Sequence, residues 1–521
     1  MTELTTGASR YLTPAARWVA DELLGGRPRG TAPELTITAV AADDTADPLV
    51  HGYRALRREV FCREQGLFAD SGAADLDDHD ADDRALVLVA HDPGGALLGG
   101  VRLGPARPDE PDVGWWAGSR LVVAPGARGG GTAPGARGGG TAPGARGGGT
   151  APGARRGGAH VGAALVRAAC ARAEAAGALR FDADVQAANA VLFDRLGWTR
   201  VRETVVAGVP HVRMRWPIGR IAALATATKA PLGPLLGALG PPGFVGDDGA
   251  PVPGTDMVAC CDAIVPAMVE RDPEWAGWAG VLVNVNDLAA MGAAPVGLLD
   301  AIGARDASFA HRVLSGVRAA ADAWGVPLLG GHTQLDVPAA LSLTALGRTA
   351  HPVPAAGGRS GHRVRLTTDL GGGWRPGYGG RQWDSTTSRS RTELAAMTGA
   401  IGPAAAHRPA AAKDVSMAGL AGTLGMLAEA SGVGAVLDVA AVPRPDGVST
   451  GDWLTCFPGF GLLTADDAGA PAPQAGPAVS AEVGELRPGG GVRLRWPDGE
   501  ETDAVPAGVT GMGTGTAGGT R

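Results

Sequence analysis

The chain has 521 residues, 45% of them hydrophobic and 19% charged, and its formal net charge at pH 7 is −7. This length exceeds what one hydrophobic core organises, and the composition is that of a globular protein rather than a disordered one. The acidic balance excludes a strong basic field that would hold nucleic acid or an anionic membrane. We therefore expect two to four domains that act on small-molecule substrates.

The cysteines and the apolar segments bear on the compartment. Five cysteines without metal-site spacing predict neither a disulfide framework nor structural zinc. The N-terminus lacks the basic-then-apolar pattern of a signal peptide. The longest mildly apolar stretch, residues 221–239, is interrupted by a lysine and two prolines, so it does not predict a membrane span. We expect a cytoplasmic protein with no membrane partner. The cysteines are Cys62, Cys170, Cys260, Cys261 and Cys456.

The first part of the chain mixes strand and helix patterns, which predicts an α/β domain. The predicted strands cover residues 34–40, 85–90, 99–103, 179–185, 200–207 and 211–215. The predicted helices cover residues 50–64, 161–176 and 188–196.

A nine-residue repeat interrupts this domain. APGARGGGT occurs three times in residues 124–150, and the variant APGARRGGA follows from Ala151. A unit so short and so rich in glycine and proline cannot bury a core of its own, so we interpret it as a duplicated loop. The alternative is an anion-binding arm that carries four arginines. Without the extra copies, a strand runs directly into a glycine-rich turn and an amphipathic helix.

A strand, a glycine-rich turn and a helix together bind phosphate, because free N–H groups and the helix dipole favour an anion. VFCREQG (residues 60–66) lies upstream of this turn, and FDADVQAANAVLFDRLGW (residues 181–198) lies downstream. With these motifs, residues 35–217 resemble the GCN5-related N-acetyltransferase (GNAT) superfamily and, within it, a nitrogen-starvation-associated subgroup. The resemblance implies a GNAT fold that binds acetyl-CoA through Val122, Val123, Arg155, Arg156, Gly157, Gly158, Gly162, Asn189 and Phe193.

Two residues depart from the superfamily pattern. His160 occupies a position that is glycine in the pyrophosphate-binding turn, and Phe193 stands where many relatives carry a tyrosine that protonates the leaving thiolate. Phenylalanine has no exchangeable proton, so another group or water must act as the acid. Glu64 and Asp184 are the candidates for deprotonating the amine. The acidic segment 75–83, which contains His79, is interpreted as a solvated loop, with attraction of a cationic amine or a metal as the alternative.

The second part of the chain begins after a Pro/Gly-rich linker predicted at residues 218–243. Predicted strands cover residues 257–261, 280–285, 296–302, 327–329, 340–348 and 434–439. Predicted helices cover residues 287–291, 308–324 and 417–431. Residues 357–392 are predicted as loop-rich, with Trp374, Tyr378 and Trp383 interpreted as loop anchors and a ligand cage as the alternative. The segment from about Asp466 is Ala/Gly/Pro-rich and is expected to end in a disordered tail.

Spaced aspartates mark four segments of this second part. They occur in VGDDGA, CCDAIV, NVNDLAAMGAAP and AAKDVSMAGL, as Asp248, Asp262, Asp287 and Asp414 respectively. Mg²⁺ is held in proteins by a few carboxylates together with substrate phosphates and water. The pattern therefore favours one shared site for a metal ion and a polyanion.

These motifs resemble the superfamily of aminoimidazole-ribonucleotide (AIR) synthetase, thiamine-monophosphate kinase, selenophosphate synthetase and a hydrogenase maturation factor. GDDGA, NVNDLAAMGAAP and LLGGHT are similar to its GDDAA, NLSDLAAMGA and GGDT elements. The resemblance implies α/β subdomains at residues 244–352 and 353–515, a homodimer through this domain, and bound ATP and Mg²⁺. The implied metal ligands are Asp248, Asp262, Asp287 and Asp414; the implied ATP contacts are Asn284, Asn286, Gly330, Gly331, His332 and Lys413.

Two substitutions remove carboxylates from the superfamily pattern. His332 replaces the aspartate of GGDT, and Met417 replaces the second aspartate of a D-S-D-G-L element. The whole chain is therefore predicted as an α/β (α+β) bifunctional enzyme. One half transfers an acetyl group to a small amine, and the other uses Mg-ATP. The alternatives are an ATP-dependent enzyme whose acyltransferase half is inactive, and a sensor that binds acyl-CoA and ATP without turnover.

Overall fold

A computed structural model describes residues 35–68, 75–128, 158–230, 232–236 and 247–515, with the backbone alone at 158–160. The chain divides into two compact units, residues 1–218 and 219–521. No helix within the described ranges is long and apolar enough to cross a membrane.

The first unit contains a seven-stranded sheet in the order β1-β2-β3-β4-β5-β7-β6. Neighbours pair antiparallel except β4 and β5, which run parallel. The strands are β1 Thr36–Ala41, β2 Leu86–His91, β3 Leu97–Pro105, β4 Trp115–Val123, β5 Arg180–Gln186, β6 Thr199–Val206 and β7 Val209–Trp216.

Helices cover both faces of this sheet, since alternate residues of β2 enter two different cores. The first helix, α1 (Pro48–Arg57), continues as a π-helix over Arg58–Glu64, and its Tyr53 packs where Gly100 leaves room for the ring. On the other face lies α2 (Gly158–Ala175), followed later by α3 (Ala190–Arg195). Leu165 of α2 is fully buried there.

The second unit begins with α4 (Arg220–Lys229) and α5 (Leu232–Leu236), which occupy part of the predicted linker. Ile221 and Ala225, one helical turn apart, are buried in α4. The Pro/Gly content of the segment as a whole concealed this short apolar stripe. Residues 220–229 are therefore helical and belong to the second unit.

A five-stranded sheet follows, in the order β11-β10-β12-β9-β8. Its strands are β8 Ala250–Pro251, β9 Met257–Ile264, β10 Ala294–Ala304, β11 Leu328–Leu335 and β12 Ala340–Arg348. The helices in this region are α6 Pro266–Arg271, α7 Pro273–Ala290 and α8 Ala307–Trp324. Helices α7 and α8 cross closely at Gly316, where a Cβ atom would lie only 1.9 Å from the carbonyl oxygen of Glu274.

A seven-stranded sheet forms the rest of the unit, in the order β16-β18-β13-β19-β17-β20-β21, and β14 and β15 form a separate pair. The helices are α9 Arg391–Thr398, α10 Gly419–Ala430 and α11 Thr450–Thr455. The strands are β13 Arg363–Thr368, β14 Gly373–Trp374, β15 Trp383–Asp384, β16 Ala411–Asp414, β17 Gly434–Asp438, β18 Gly461–Asp466, β19 Val479–Arg487, β20 Val492–Arg495 and β21 Glu501–Val505.

One predicted segment of this unit is wrong. Residues 280–285 form the middle of helix α7, because a helix buried on all sides shows the same unbroken apolar run as a buried strand. The segment 357–392, predicted as loop-rich, contains strand β13 and the short strands β14 and β15 and is irregular over most of its length. Trp374 and Trp383 anchor this region, since their rings meet edge to face at 5.0 Å. The Ala/Gly/Pro-rich segment after Asp466 contributes strands β19 to β21, and the tail predicted at its end, past residue 515, lies outside the described residues.

Candidate functional site

Three carboxylates of the second unit converge from separate parts of the chain. Asp248 precedes β8, Asp287 lies in the last turn of α7, and Asp414 ends β16. One carboxylate oxygen from each lies within 4.8 Å of the other two. Asp287 and Asp414 are 8% and 4% exposed. We call Asp248, Asp287 and Asp414 the carboxylate triad.

The triad is held in place by polar contacts. Asp248 accepts a hydrogen bond from the backbone N–H of Asp414 at 2.9 Å and pairs with the ammonium group of Lys413. Burial alone would lower the pKa of Lys413, but the adjacent charge of Asp248 raises it. Lys413 is therefore held as a cation beside the triad and neutralises one of its charges.

The remaining negative charge is unfavourable without a cation. Burial raises the pKa of Asp287 well above its usual range, and the charges of Asp414 and Asp262 add to this shift. Burial likewise raises the pKa of Asp414, with Asp248 as the next cause. Buried carboxylates in close contact favour a metal ion or a proton between them. Their oxygen donors are the ligands that Mg²⁺ prefers, so the triad fits this ion.

Two further aspartates flank the triad. Asp262, predicted as a metal ligand, lies outside the set of three but close enough to form a side-chain hydrogen bond with Asp287. Asp247 was not predicted as a site residue. Burial raises its pKa to about 7, and Oδ1 accepts a hydrogen bond from Ala355 N at 2.6 Å. Its Oδ2 is buried without a partner in the described residues. The two adjacent aspartates of VGDDGA were the sequence feature that could have indicated Asp247 as a site residue.

The two predicted asparagines lie within α7 and are buried. The Nδ2 group of Asn284 donates to the carbonyl of Gly280 at 2.9 Å, within the same helix. Asn286 donates to the carbonyl of Gly459 at 2.7 Å, and its Oδ1 has no partner within the described part of the chain. Asn286 thus has an oxygen that is available to accept a hydrogen bond from a nucleotide, whereas the side-chain N–H group of Asn284 is already engaged. Both roles stay predictions.

The remaining predicted ATP contacts lie elsewhere in the unit. Gly330, Gly331 and His332 are exposed residues of the edge strand β11. Two strands separate β11 from β9, so at about 4.8 Å per strand these residues lie about 14 Å from the backbone of Asp262. Within one chain the structure does not bring them to the triad.

The first unit contains a cleft of about 790 Å³ beside the parallel strands. β4 and β5 pair only through residues 115–118 and 180–183, so the later part of β4 lacks β5 as a partner. Arg120 in β4 has φ +54°, an uncommon conformation for a side-chain-bearing residue. The cleft therefore opens where the pairing of the two parallel strands ends.

Six predicted acetyl-CoA residues fall in the described part of this unit, and five of them line the cleft: Val122, Val123, Gly162, Asn189 and Phe193. Phe193 packs edge to face on Trp198 at 5.3 Å. The sixth, Gly158, is the first residue of α2. Arg155, Arg156 and Gly157 lie outside the described residues, as do residues 129–150 of the repeat.

The two predicted catalytic carboxylates are both paired with arginine. Asp184 lines the cleft and accepts two hydrogen bonds from Arg213, at 2.9 and 2.7 Å. Glu64 ends the π-helix and pairs with Arg128. Each carboxylate is thus already a hydrogen-bond acceptor for a guanidinium group. The assignment of Glu64 and Asp184 as bases stays a prediction, and the arginines occupy the carboxylate oxygens that would have to accept the proton.

The acidic segment 75–83 is not a solvated loop. Asp80 is 6% exposed and accepts from the fully buried Arg57 at 2.6 Å. Asp77 pairs with Arg102 and Arg120. Burial alone would raise the pKa of Asp80, but the hydrogen bond from Arg57 and the charge of Arg102 lower it. These charges form a buried network inside the unit, which sequence reasoning missed because the arginines lie far away in the chain.

Residues 246–349 match the N-terminal domain, and residues 382–470 the C-terminal domain, of the AIR synthase related protein family. An uncharacterized protein of Synechocystis is 34% identical over 224 residues, covering 42% of this chain and 69% of that protein. A thiamine-monophosphate kinase of Rhodopirellula baltica is 34% identical over 139 residues, which cover 25% of this chain and 43% of that kinase. A selenide, water dikinase of Myxococcus xanthus is 29% identical over 230 residues, which cover 41% of this chain and 64% of that enzyme.

The chain thus spans less than two thirds of the length of these two kinases. Among solved structures, thiamine monophosphate kinase from Aquifex aeolicus superimposes with a TM-score of 0.38 at 19% identity, over 50% of this chain and 92% of that one. The residues matched to the two family domains, 246–349 and 382–470, lie in the second unit and include the whole carboxylate triad. By these two domain matches, the second unit belongs to the AIR synthase related protein family.

Proposed function

We propose that residues 219–521 form a Mg²⁺-dependent enzyme that transfers a phosphoryl group from ATP to a small molecule. The observation that carries this proposal is the carboxylate triad, in which three oxygens lie within 4.8 Å of one another and two of the side chains are almost completely buried. Such a cluster is costly without a cation, and phosphates complete the coordination of Mg²⁺ where a protein supplies only a few carboxylates.

The chain's own residues would hold and orient the nucleotide. Bound Mg²⁺ would supply neutralisation of charge on the transferring phosphoryl group. Asp248, Asp287 and Asp414 hold the metal position, while Lys413 fixes Asp248 by an ion pair. The unpartnered Oδ1 of Asn286 is available to accept a hydrogen bond at the same helix end. The names of two relatives, a thiamine-monophosphate kinase and a selenide, water dikinase, support phosphoryl transfer.

This proposal is tested by calorimetric titration of the full chain with ATP, in the presence of Mg²⁺ and again in the presence of EDTA. We expect saturable binding with Mg²⁺ and binding at least about 10-fold weaker without it, equivalent to 1.4 kcal/mol. Asp256→Asn, at an exposed aspartate outside the triad, is the matched control and keeps the wild-type affinity. ATP affinity that is equal in the two buffers contradicts the proposal.

A second function, acetyl transfer from acetyl-CoA to a small amine, is proposed for residues 35–218. It is supported by the cleft at the end of the β4–β5 pairing, which is lined by five of the residues that the GNAT resemblance assigns to acetyl-CoA. Helix α2 begins beside this cleft, and its N-terminus would favour the pyrophosphate. Titration with acetyl-CoA tests this; absence of binding to the full chain contradicts it.

Self-association through the five-stranded sheet is a further part of the proposal. The edge strand β11 is exposed along its whole length, and large apolar side chains are exposed on β10 and β11. An apolar edge of this kind favours pairing with another chain. Light scattering should give a dimer for the wild type and a monomer for Leu329→Asp. A monomeric wild type contradicts the proposal. The exposed residues are Val296, Leu299, Leu328, Leu329 and Leu335, at 38–55% exposure.

A further inference from the structure

Two histidines, His79 and His211, line the cleft of the first unit, and His211 belongs to neither of the residue sets described above. His211 belongs to β7, directly opposite Gln186, the last residue of β5. Side chains at paired positions share a face of the sheet, so His211 lies on the same face as the Asp184–Arg213 pair. All four side chains line the cleft, about one strand spacing from the point where the β4–β5 pairing ends.

The hydrogen bonding of His211 fixes which ring nitrogen is available. Nδ1 lies 2.8 Å from the carbonyl oxygen of Val209. A carbonyl oxygen only accepts, so Nδ1 carries the proton, and in the neutral ring the lone pair is on Nε2. Nε2 makes no hydrogen bond with any residue in the described ranges, and His211 as a whole residue is only 7% exposed. A proton acceptor without a protein partner, on a largely buried side chain, therefore lies in the cleft.

The other proton acceptors in this cleft are engaged. Asp184 holds Arg213 through two hydrogen bonds. His79 lies against a carbonyl oxygen with Nε2, at 3.3 Å from Ala106, and has Nδ1 at 3.6 Å from Asp77. In contrast to these groups, His211 combines a free lone pair with a fixed ring orientation, and a general base needs both.

We propose that His211 is the general base for amine acetylation in the first unit, with Nε2 as the proton acceptor. This rests on the acetyl-transfer function proposed above. Nε2 takes one proton from the ammonium group of the acceptor. The neutral amine then forms the C–N bond to the thioester carbonyl carbon, and the C–S bond breaks. The CoA thiolate takes the second nitrogen proton, and the imidazolium releases its proton to water. The products are the acetamide, CoA thiol and one released proton.

The test uses His211→Asn in the full chain, because the asparagine amide retains an N–H near the position of Nδ1 but lacks Nε2. A residue that only anchors the β6–β7 hairpin would tolerate this change. His51→Asn, at an exposed histidine of α1, is the matched control. CoA formation is measured by chromatography with acetyl-CoA, using 2-phenylethylamine as the probe amine and water alone as a second acceptor. Acetyl-CoA affinity and the unfolding temperature are measured for each variant.

We expect His211→Asn to lower the rate of CoA formation about 100-fold or more, with unchanged acetyl-CoA affinity and unfolding temperature. Diethyl pyrocarbonate should also modify His211 in the wild type, and acetyl-CoA should protect it. The inference is overturned if a wild type that binds acetyl-CoA forms CoA no faster than His211→Asn, or if bound acetyl-CoA leaves the modification of His211 unchanged. Absence of acetyl-CoA binding to the wild type would instead defeat the proposed acetyl transfer itself.

Discussion

Replacing Asp287 by asparagine should stabilise the metal-free protein while removing its response to Mg²⁺. In the absence of metal, two charges 4.8 Å apart repel by about 3.5 kcal/mol at an effective dielectric constant near 20. Asp287 takes part in two of the three pairs of the triad. Asparagine keeps the shape and removes the charge, so both repulsions disappear.

The measurable gain is smaller than the sum of these two terms, because the raised pKa values of Asp287 and Asp414 let the cluster take up a proton. We expect the free energy of unfolding of the second unit to rise by about 1–3 kcal/mol in EDTA, which corresponds to an increase in unfolding temperature of about 2–6 °C. Differential scanning calorimetry at pH 8 in EDTA measures this shift.

The metal response should change in the opposite direction. A ligand that binds only the folded protein at 100 times its Kd stabilises it by about 2.7 kcal/mol. Saturating Mg-ATP should therefore raise the unfolding temperature of the wild type and of the control Asp256→Asn but leave Asp287→Asn unchanged. If Asp287→Asn is less stable than the wild type in EDTA, or gains as much from Mg-ATP, then the triad is not a metal site.

Two further predictions concern stability. Asp80→Asn removes one of the two buried carboxylates that pair with Arg57, together with a partner of the buried Arg102, and should cost about 3 kcal/mol at pH 7. The pKa of Asp80 is lower in the folded than in the unfolded protein, so its contribution to the free energy of unfolding is fully present above about pH 4 and is lost as the pH falls further. In urea unfolding, the stabilities of the wild type and Asp80→Asn should therefore converge at low pH. A stability difference that stays constant with pH contradicts this. Gly316→Ala places a Cβ 1.9 Å from the Glu274 carbonyl oxygen and should cost about 3 kcal/mol or more, whereas the exposed Ser315→Ala should change thermal unfolding little.

Sequence periodicity was sufficient for most elements of the first unit. The strands near 85–90, 179–185 and 211–215 agree with the structure to within two residues at each end, because short apolar or alternating runs bounded by polar residues are typical of strands. Helix α7 shows where this information ends. Its buried side chains surround the whole helix, so GVLVNV carries no amphipathic period that distinguishes it from a strand.

The candidate sites divide in the same way. The sequence by itself determined which residues are able to bind a metal, since the short motifs around Asp248, Asp287 and Asp414 carry the carboxylates. Only the tertiary structure decided that their oxygens lie within 4.8 Å and that Asp262 stands just outside. The distances between residues far apart in the chain depend on strand order and helix packing, and no local pattern encodes these.

The charged residues of the first unit show the same limit most clearly. Composition suggested a solvated acidic segment, yet Asp80 is buried against Arg57. Glu64 and Asp184 have the chemistry of bases, but each is paired with an arginine, while His211 has a free nitrogen in the cleft. The sequence determines which groups can ionise. The fold decides which of them are buried, paired or free, because the strength of a charge interaction depends on distance and on exclusion of water.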